Sequence, residues 1–69
     1  MSTLGTILVA EDEDGVRRIV RTVLQAHGYT VIEAASGPEA VAAWEAHSGA
    51  IQLALCDVVL PHEIGRAHV

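Results

Sequence analysis

The acidic residues of this 69-residue sequence are its best candidates for a reactive or metal-binding site. Four acids in a row, residues 11–14, follow one short apolar run, and Asp57 ends a second, largely apolar run that begins at Ile51. An ionised carboxylate in apolar surroundings is costly unless it meets a cation or a hydrogen-bond donor. Two interpretations of Asp57 are therefore open: an acid placed for chemistry, or an acid that accepts backbone N–H bonds in a turn.

Three short strands are predicted to position these acids. Residues 6–10 and 51–56 are apolar runs of strand length, and residues 29–34 are rich in β-branched and aromatic residues but include polar ones. The third of these segments is expected to lie nearer a sheet edge.

The first predicted helix follows the acidic run, with Asp14 as its N-cap and Gly28 as the left-handed residue that closes it. Its apolar residues recur at helical spacing and are expected to face the sheet: Val16, Ile19, Val20, Val23 and Leu24. The charged residues between them are expected to form a solvated face: Arg17, Arg18 and Arg21.

The second predicted helix begins at a capping box, with Ser36 as N-cap and Glu39 three residues later, and it runs to about His47. Pro38 suits the first turn of a helix. The residues expected to form its buried face are Ala40, Val41, Ala43 and Trp44.

Strands that alternate with helices predict an α/β fold, a doubly wound parallel sheet with helices on its faces. If the first and third strands are neighbours, with the second outside the first, the strand order reverses between them. Ligands of such sheets bind at the reversal, beyond the carboxyl ends of the strands. Glu11, Asp12 and Asp57 are all expected there.

Three carboxylates at one crevice repel each other, and a hard divalent cation relieves that repulsion. Mg²⁺ suits such a site because it takes oxygen ligands, usually one or two carboxylates with waters and a phosphate oxygen. An aspartate beside a bound metal ion is able to attack a phosphoryl group as a nucleophile.

Four stretches resemble a known family: residues 7–13 (ILVAEDE), 28–31 (GYTV), 34–40 (AASGPEA) and 55–61 (LCDVVLP). Together they resemble a response-regulator receiver domain of two-component signalling, over residues 4–61. The resemblance implies the flavodoxin-like receiver fold and a phosphorylation-controlled switch, which is not an enzyme in the usual sense.

The resemblance also implies roles for particular residues. Asp57 would be the phosphoacceptor, receiving a phosphoryl group from a sensor histidine kinase or a phosphotransfer protein, and would also ligate Mg²⁺. Asp12 would ligate Mg²⁺ directly, and Glu11 would act through a water molecule. The backbone carbonyl of Val59 would complete the protein ligands.

The sequence departs from the family after Asp57. Members carry two further strands, one ending in Ser or Thr and the next in Lys, whereas this chain has no lysine and all its Ser and Thr residues precede Asp57. We therefore expect residues 4–62 to be the N-terminal half of a receiver domain, truncated to β-α-β-α-β. Residues 63–69 place Glu63 where the family has an apolar residue and match the translation of a common sequencing adapter, so they are expected to be a non-native tail.

The charge and the hydrophobic pattern of the chain exclude some classes of binding partner. The net charge of -5 opposes binding to nucleic acid, and no apolar run approaches the length of a membrane span, so a cytoplasmic protein is expected. Four scattered histidines show no zinc-ligand spacing. Cys56, the one cysteine, is expected to be a buried apolar residue, with a redox role as the alternative.

Two other interpretations of function remain at this point. One is an inert truncated receiver fragment, in which the family residues persist without activity. The other is a fragment of a nucleotide-binding βαβ enzyme, but acids follow the first strand where that class needs a Gly-rich loop for the pyrophosphate.

Overall fold

A computed structural model describes residues 4–57 of the chain. Its elements in chain order are β1 (Thr6–Glu11), α1 (Asp14–Ala26), β2 (Thr30–Ala34), α2 (Gly37–His47) and β3 (Ile51–Asp57). The predicted β-α-β-α-β order is confirmed, and most predicted bounds hold to within a residue. Among the described residues, no helix is long and apolar enough to cross a membrane.

The three strands form one parallel sheet in the order β2-β1-β3. The predicted reversal of strand order is therefore confirmed, with β1 in the middle. Both faces of the central strand are covered, since its residues from Ile7 to Glu11 are all buried. A continuous apolar run is what a strand buried on both sides requires.

An irregularity at the start of β3 sets which face each of its residues occupies. Thr6 pairs with Ile51 but Ile7 pairs with Leu53, so Gln52 is an extra residue on the β3 side. Such a bulge shifts the alternation of side chains by one position. Gly5 lies close by, and a Cβ there would collide with the Gln52 side chain.

The sheet face under α2 carries a close-packed core. Its buried members are small or branched apolar residues from four elements: Leu8, Ala10, Ala34, Ala40 and Ile51. Of the predicted buried residues of α2, Ala40 is fully buried and Ala43 packs against this core, whereas Trp44 remains 38% exposed. Val41 is half-buried, so the predicted buried face is correct for three of its four residues and wrong for Trp44, which is larger than the alanines of this core.

The capping box at the start of α2 is confirmed. The Ser36 hydroxyl accepts a hydrogen bond from the backbone N–H of Glu39 at 3.3 Å, and the Glu39 carboxylate accepts one from the N–H of Ala35 at 2.9 Å. One donor that the helix itself leaves free, the Glu39 N–H, is satisfied in this way, while the Glu39 carboxylate binds the residue just before the N-cap.

The two ends of α1 differ in how well the sequence predicted them. At the C-terminal end Gly28 has φ +97°, and the N–H groups of Gly28 and Tyr29 bond to the carbonyls of Gln25 and Leu24, which is a Schellman motif. At the N-terminal end the N-cap is Glu13, with no side-chain cap. The prediction of Asp14 as N-cap is wrong, because its carboxylate binds Arg17 instead.

The orientation of α1 corrects a second prediction. Val20 and Leu24 are half-buried, but the rest of the predicted stripe faces outward: Val16, Ile19 and Val23 are 39%, 65% and 50% exposed. Arg17 and Arg21 take their place toward the sheet, so they do not form a solvated face. Leu53 and Leu55 of β3 are exposed too, and no part of residues 4–57 covers this apolar flank.

Candidate functional site

The candidate site lies where β1 and β3 end. Glu11 is the last residue of β1, Asp57 is the last residue of β3, and the two are paired in register. Side chains of paired residues point to the same face of a parallel sheet, so both carboxylates lie on the face that carries α1. The structure thus brings together two acids that are 46 positions apart in the sequence (57 minus 11).

Glu11 occupies an unusual position for an acid. The sequence placed it beyond the strand with the other acids, but it belongs to β1 and its surface is only 6% exposed. One carboxylate oxygen, Oε2, accepts a hydrogen bond from the backbone N–H of Glu13 at 2.9 Å. This bond turns the chain sharply after the strand and partly offsets the cost of burial.

The pKa of Glu11 is raised above its ordinary value. The hydrogen bond from the Glu13 N–H has the largest single influence and lowers the pKa, but the carboxyl groups of Asp12 and Asp57, together with burial, outweigh it. Crowding by like charges is the condition that a cation relieves. The acids at this edge are therefore close enough to influence one another.

Of the other two predicted metal ligands, Asp12 is described by the structure and Val59 is not. Asp12 is exposed in the turn between β1 and α1, next to Glu11. Within residues 4–57 no three His, Cys, Asp or Glu side chains are arranged closely enough to hold a metal ion together. The carbonyl of Val59 lies outside the described residues, as does the predicted tail. The metal-binding roles of Glu11, Asp12, Asp57 and Val59 remain predictions.

The donor set nevertheless fits Mg²⁺ chemically. Glu11 and Asp57 offer hard carboxylate oxygens side by side, and Mg²⁺ is usually bound by one or two carboxylates while it keeps several waters. Asp57 is exposed, so a phosphoryl donor is able to reach it. The pairing of Glu11 with Asp57 at one edge favours a cation here, in agreement with the raised pKa of Glu11 beside the carboxyl groups of Asp12 and Asp57.

A cavity of about 260 Å³ opens beside the two acids, on the side of α1. Apolar side chains of Val9, Val20 and Leu55 line it, with Glu11 and Asp57 at its border. Cys56 is half-buried and packs against the core under α2, and burial raises the pKa of its thiol. A raised pKa keeps the thiol protonated, which agrees with the expected packing role.

A charged brace beside the site was missed by the sequence analysis. We use this name for Arg17, Arg21 and Glu33. Arg17 Nε and Arg21 Nη1 donate to the two oxygens of Glu33 at 3.3 and 2.9 Å. The brace joins α1 to β2.

Arg17 extends the brace to the acidic edge. Its Nη1 donates to the backbone carbonyl of Glu11 at 2.8 Å, and its Nη2 donates to Asp14 Oδ1 at 2.6 Å. A signal was present in the sequence, since Arg17 and Arg21 are four residues apart on one helix face and Glu33 interrupts an otherwise apolar end of β2. That signal does not by itself say that the helix and strand meet.

Comparison with known proteins identifies the family. Residues 7–68 match the sequence profile of the response regulator receiver domain, which is most of the chain. The sensor kinase CckA of Brucella abortus (strain 2308) is 45% identical over 65 residues, which are 94% of this chain and 7% of that protein. The probable transcriptional regulator ycf27 of Cyanidium caldarium is 38% identical over 55 residues, which are 80% of this chain and 21% of that protein.

A solved structure agrees with the fold. The crystal structure of the receiver domain from the hybrid histidine kinase CckA superimposes with a TM-score of 0.76 at 46% sequence identity. The match covers 84% of this chain and 54% of that one. The chain therefore spans about half of the solved receiver domain and a small part of the curated relatives.

Proposed function

The chain belongs to the family of response regulator receiver domains, and from that premise we propose that Asp57 is its phosphoacceptor in a two-component phosphorelay. The observation that carries the proposal is the register of β1 and β3, which sets Asp57 beside Glu11 at the reversal of strand order. Asp57 is exposed at the end of its strand, where an incoming phosphoryl group is able to meet it.

The proposed transfer is a displacement at phosphorus. A carboxylate oxygen of Asp57 attacks the phosphorus atom of a phosphohistidine, an acyl phosphate forms, and the P–N bond breaks with its electron pair passing to the imidazole. Asp57 acts as the nucleophile only to become phosphorylated itself. The phosphorylated carboxylate is the signal, and no separate substrate is turned over. We accordingly propose a switch and not an enzyme.

Mg²⁺ is the proposed cofactor, and when bound it would neutralise charge on the transferred oxygens. Glu11, Asp12 and Asp57 would hold it with the carbonyl of Val59. Glu11 is already fixed by its bond to the Glu13 N–H, so one acid of the set is oriented before any ion arrives.

The proposed partner is a sensor histidine kinase or a phosphotransfer protein. Two relatives support a setting in two-component signalling, since one is named a sensor kinase and the other a probable transcriptional regulator. We propose no contact of this segment with nucleic acid, because its net charge is -5, and none with membrane. We also propose a cytoplasmic location.

Phosphorylation by a small donor tests the proposal. The chain is incubated with acetyl phosphate and Mg²⁺, and intact mass spectrometry measures the gain of one phosphoryl group. We expect the gain in the wild type, its loss in Asp57→Asn, and its loss on chelation of Mg²⁺. Glu45→Gln, which removes an exposed carboxylate of α2, is the matched control and is expected to behave as the wild type.

Two results would count against this function. A wild-type chain that gains no phosphoryl group would favour the inert fragment. A gain that persists in Asp57→Asn would move the modification to another residue.

A further inference from the structure

The peptide between Glu11 and Asp12 is held by a side chain from outside its own strand. Its carbonyl oxygen accepts the hydrogen bond from Arg17 Nη1 at 2.8 Å, and the Arg17 side chain is only 16% exposed. Hydrogen bonds from a charged donor are stronger than neutral ones, and partial burial protects this one from competing water. The orientation of this peptide decides the direction in which Asp12 leaves β1.

The guanidinium of Arg17 is itself fixed from three sides. Nη1 binds the Glu11 carbonyl, Nη2 binds Asp14, and Nε binds Glu33. A guanidinium is a rigid planar fork, so contacts with three separate acceptors determine both its position and its plane. The ammonium of lysine is a single point of charge and does not reproduce that geometry.

The other hydrogen bonds of the turn are donated by backbone N–H groups and do not depend on the Arg17 side chain. The backbone N–H of Arg17 donates to the carbonyl of Glu13 at 2.9 Å, and the N–H of Glu13 donates to the Glu11 carboxylate at 2.9 Å. The Arg17 side chain adds one contact, at the Glu11 carbonyl, to a turn whose other end is fixed at the Glu13 carbonyl by the first hydrogen bond of α1. Asp12 lies between these two points.

We propose that Arg17 is a positioning residue for the acidic edge, which fixes the Glu11–Asp12 peptide and thereby the placement of both acids relative to Asp57. The inference rests on the proposed function, because its consequence is a faster phosphorylation of Asp57. Arg17 touches none of the reacting atoms and acts through the backbone of Glu11.

Arg21 provides a matched control within the same brace. Arg21 also pairs with Glu33, at 2.9 Å, but among the described residues its side chain makes no hydrogen bond to the backbone of β1. Arg17→Lys and Arg21→Lys therefore both keep the charge and both weaken the contact with Glu33. Only the first removes the fork that holds the Glu11 carbonyl.

The test measures the rate of Asp57 phosphorylation by acetyl phosphate at saturating Mg²⁺, together with the Mg²⁺ concentration for half-maximal rate. Loss of a residue that orients metal ligands without itself binding the metal typically lowers metal affinity or activity about 10-fold or more, so we expect Arg17→Lys to lower the saturated rate about 10-fold. Because Arg17 orients two of the proposed Mg²⁺ ligands, the half-maximal Mg²⁺ concentration should rise in Arg17→Lys and stay near the wild-type value in Arg21→Lys. Arg21→Lys should stay within about twofold of the wild-type rate, since it leaves that orientation intact.

A second variant keeps the inference falsifiable if Arg17→Lys does not fold. Glu33→Gln removes the charged anchor of Arg17 while the Glu11 carbonyl bond persists, so we expect a slowing smaller than that of Arg17→Lys. Backbone amide shifts of Asp12 and Glu13, followed by NMR, should move in Arg17→Lys and Glu33→Gln but not in Arg21→Lys.

The outcomes separate the two proposals. If the wild type is phosphorylated on Asp57 and Arg17→Lys matches Arg21→Lys, the positioning role is overturned while the proposed function stands. If neither Arg17→Lys nor Glu33→Gln slows the reaction, the same conclusion holds. If the wild type itself is not phosphorylated, the proposed function fails and the inference fails with it.

Discussion

The two faces of the sheet hold their helices by different means. On the face under α2, small apolar side chains such as Ala34 and Ala40 are fully buried, and the core is continuous across the three strands. On the face under α1, no helical residue is fully buried; two arginine-carboxylate pairs tie the helix to β2, and a third lies within the helix. Apolar packing holds α2 on its face, whereas on the α1 face directed polar contacts are added to the burial of Ile7 and Val9.

The two faces differ in what their contacts supply: free energy of folding on one face, and fixed side-chain geometry on the other. Close packing of apolar residues supplies free energy but is nondirectional. Hydrogen bonds of a guanidinium fix angles and distances but add little net stability at a surface. The acidic edge lies on the α1 face, where orientation of Glu11 and Asp57 matters, while the α2 face supplies the rigid base.

Truncation of a core side chain should give the largest effect. Leu8 is 1% exposed and is the largest fully buried side chain of the described region. We expect Leu8→Ala to lower the free energy of unfolding by about 2–5 kcal/mol, through lost burial and the cavity left behind. The midpoint of urea unfolding, followed by far-UV circular dichroism, measures it.

Ile19→Ala is the control from the other face. Ile19 is 65% exposed on α1, so its truncation should shift the urea midpoint only slightly. Equal losses in the two variants would show that the α1 flank is covered in solution, and the contrast between the faces would disappear.

Removal of a helix cap should give an intermediate effect. Ser36→Ala deletes the hydroxyl that accepts the Glu39 N–H, and we expect a loss of about 1 kcal/mol. Asp14→Ala, at the start of α1, should remain close to the wild type, because Asp14 caps no backbone donor and its contact with Arg17 is exposed. If Asp14→Ala lowers the free energy of unfolding as much as Ser36→Ala does, Asp14 is the functional N-cap of α1 after all.

As the pH falls, α1 should open before α2. Of the predicted changes, this one should alter the free energy of unfolding least. The hydrogen bond from Arg21, with the charges of Arg21 and Arg17, holds the pKa of Glu33 below its ordinary value against the effect of burial. A lowered pKa means that the stabilisation is complete above the ordinary pKa of Glu, about 4.3, and is lost as the pH falls through the lowered value. Residue-resolved hydrogen exchange should therefore show α1 amides opening first.

Glu33→Gln sharpens this prediction. The variant has no carboxylate to protonate, so its α1 should lose the acid-dependent opening. Glu11 acts in the opposite direction, because its raised pKa makes protonation favour the native state as the pH falls through that value. Helices that open together at every pH in the wild type would contradict the difference between the faces.

Local signals explain most of what the sequence predicted. The element order, the capping box at Ser36 and the closing residue Gly28 depend on residues within a few positions of one another. The alternation of elements predicts a parallel sheet but not its strand order, and β1 and β3 as neighbours is the arrangement that places Glu11 and Asp57 at one edge.

The errors involve choices that local pattern leaves open. The apolar residues of α1 form a broad stripe, and the pattern does not decide which half faces the sheet. Arg17 and Glu33 are 16 residues apart, and an ion pair of small energy leaves no periodic trace in the sequence. The burial of Glu11 required knowledge of the turn that its own carboxylate stabilises.

The extra residue, Gln52, divides β3 into a part that packs in the core and a part that carries Asp57. Ile51, before it, is anchored in the core under α2, whereas Leu53, Leu55 and Asp57, after it, follow the opposite phase and face α1. Loss of Gln52 alone would leave Ile51 opposite Thr6 and Asp57 opposite Glu11. A one-residue insertion or deletion after Leu53 would instead turn Asp57 to the wrong side of the sheet. The strand therefore tolerates a change of length at its beginning but not along the stretch that carries the acceptor.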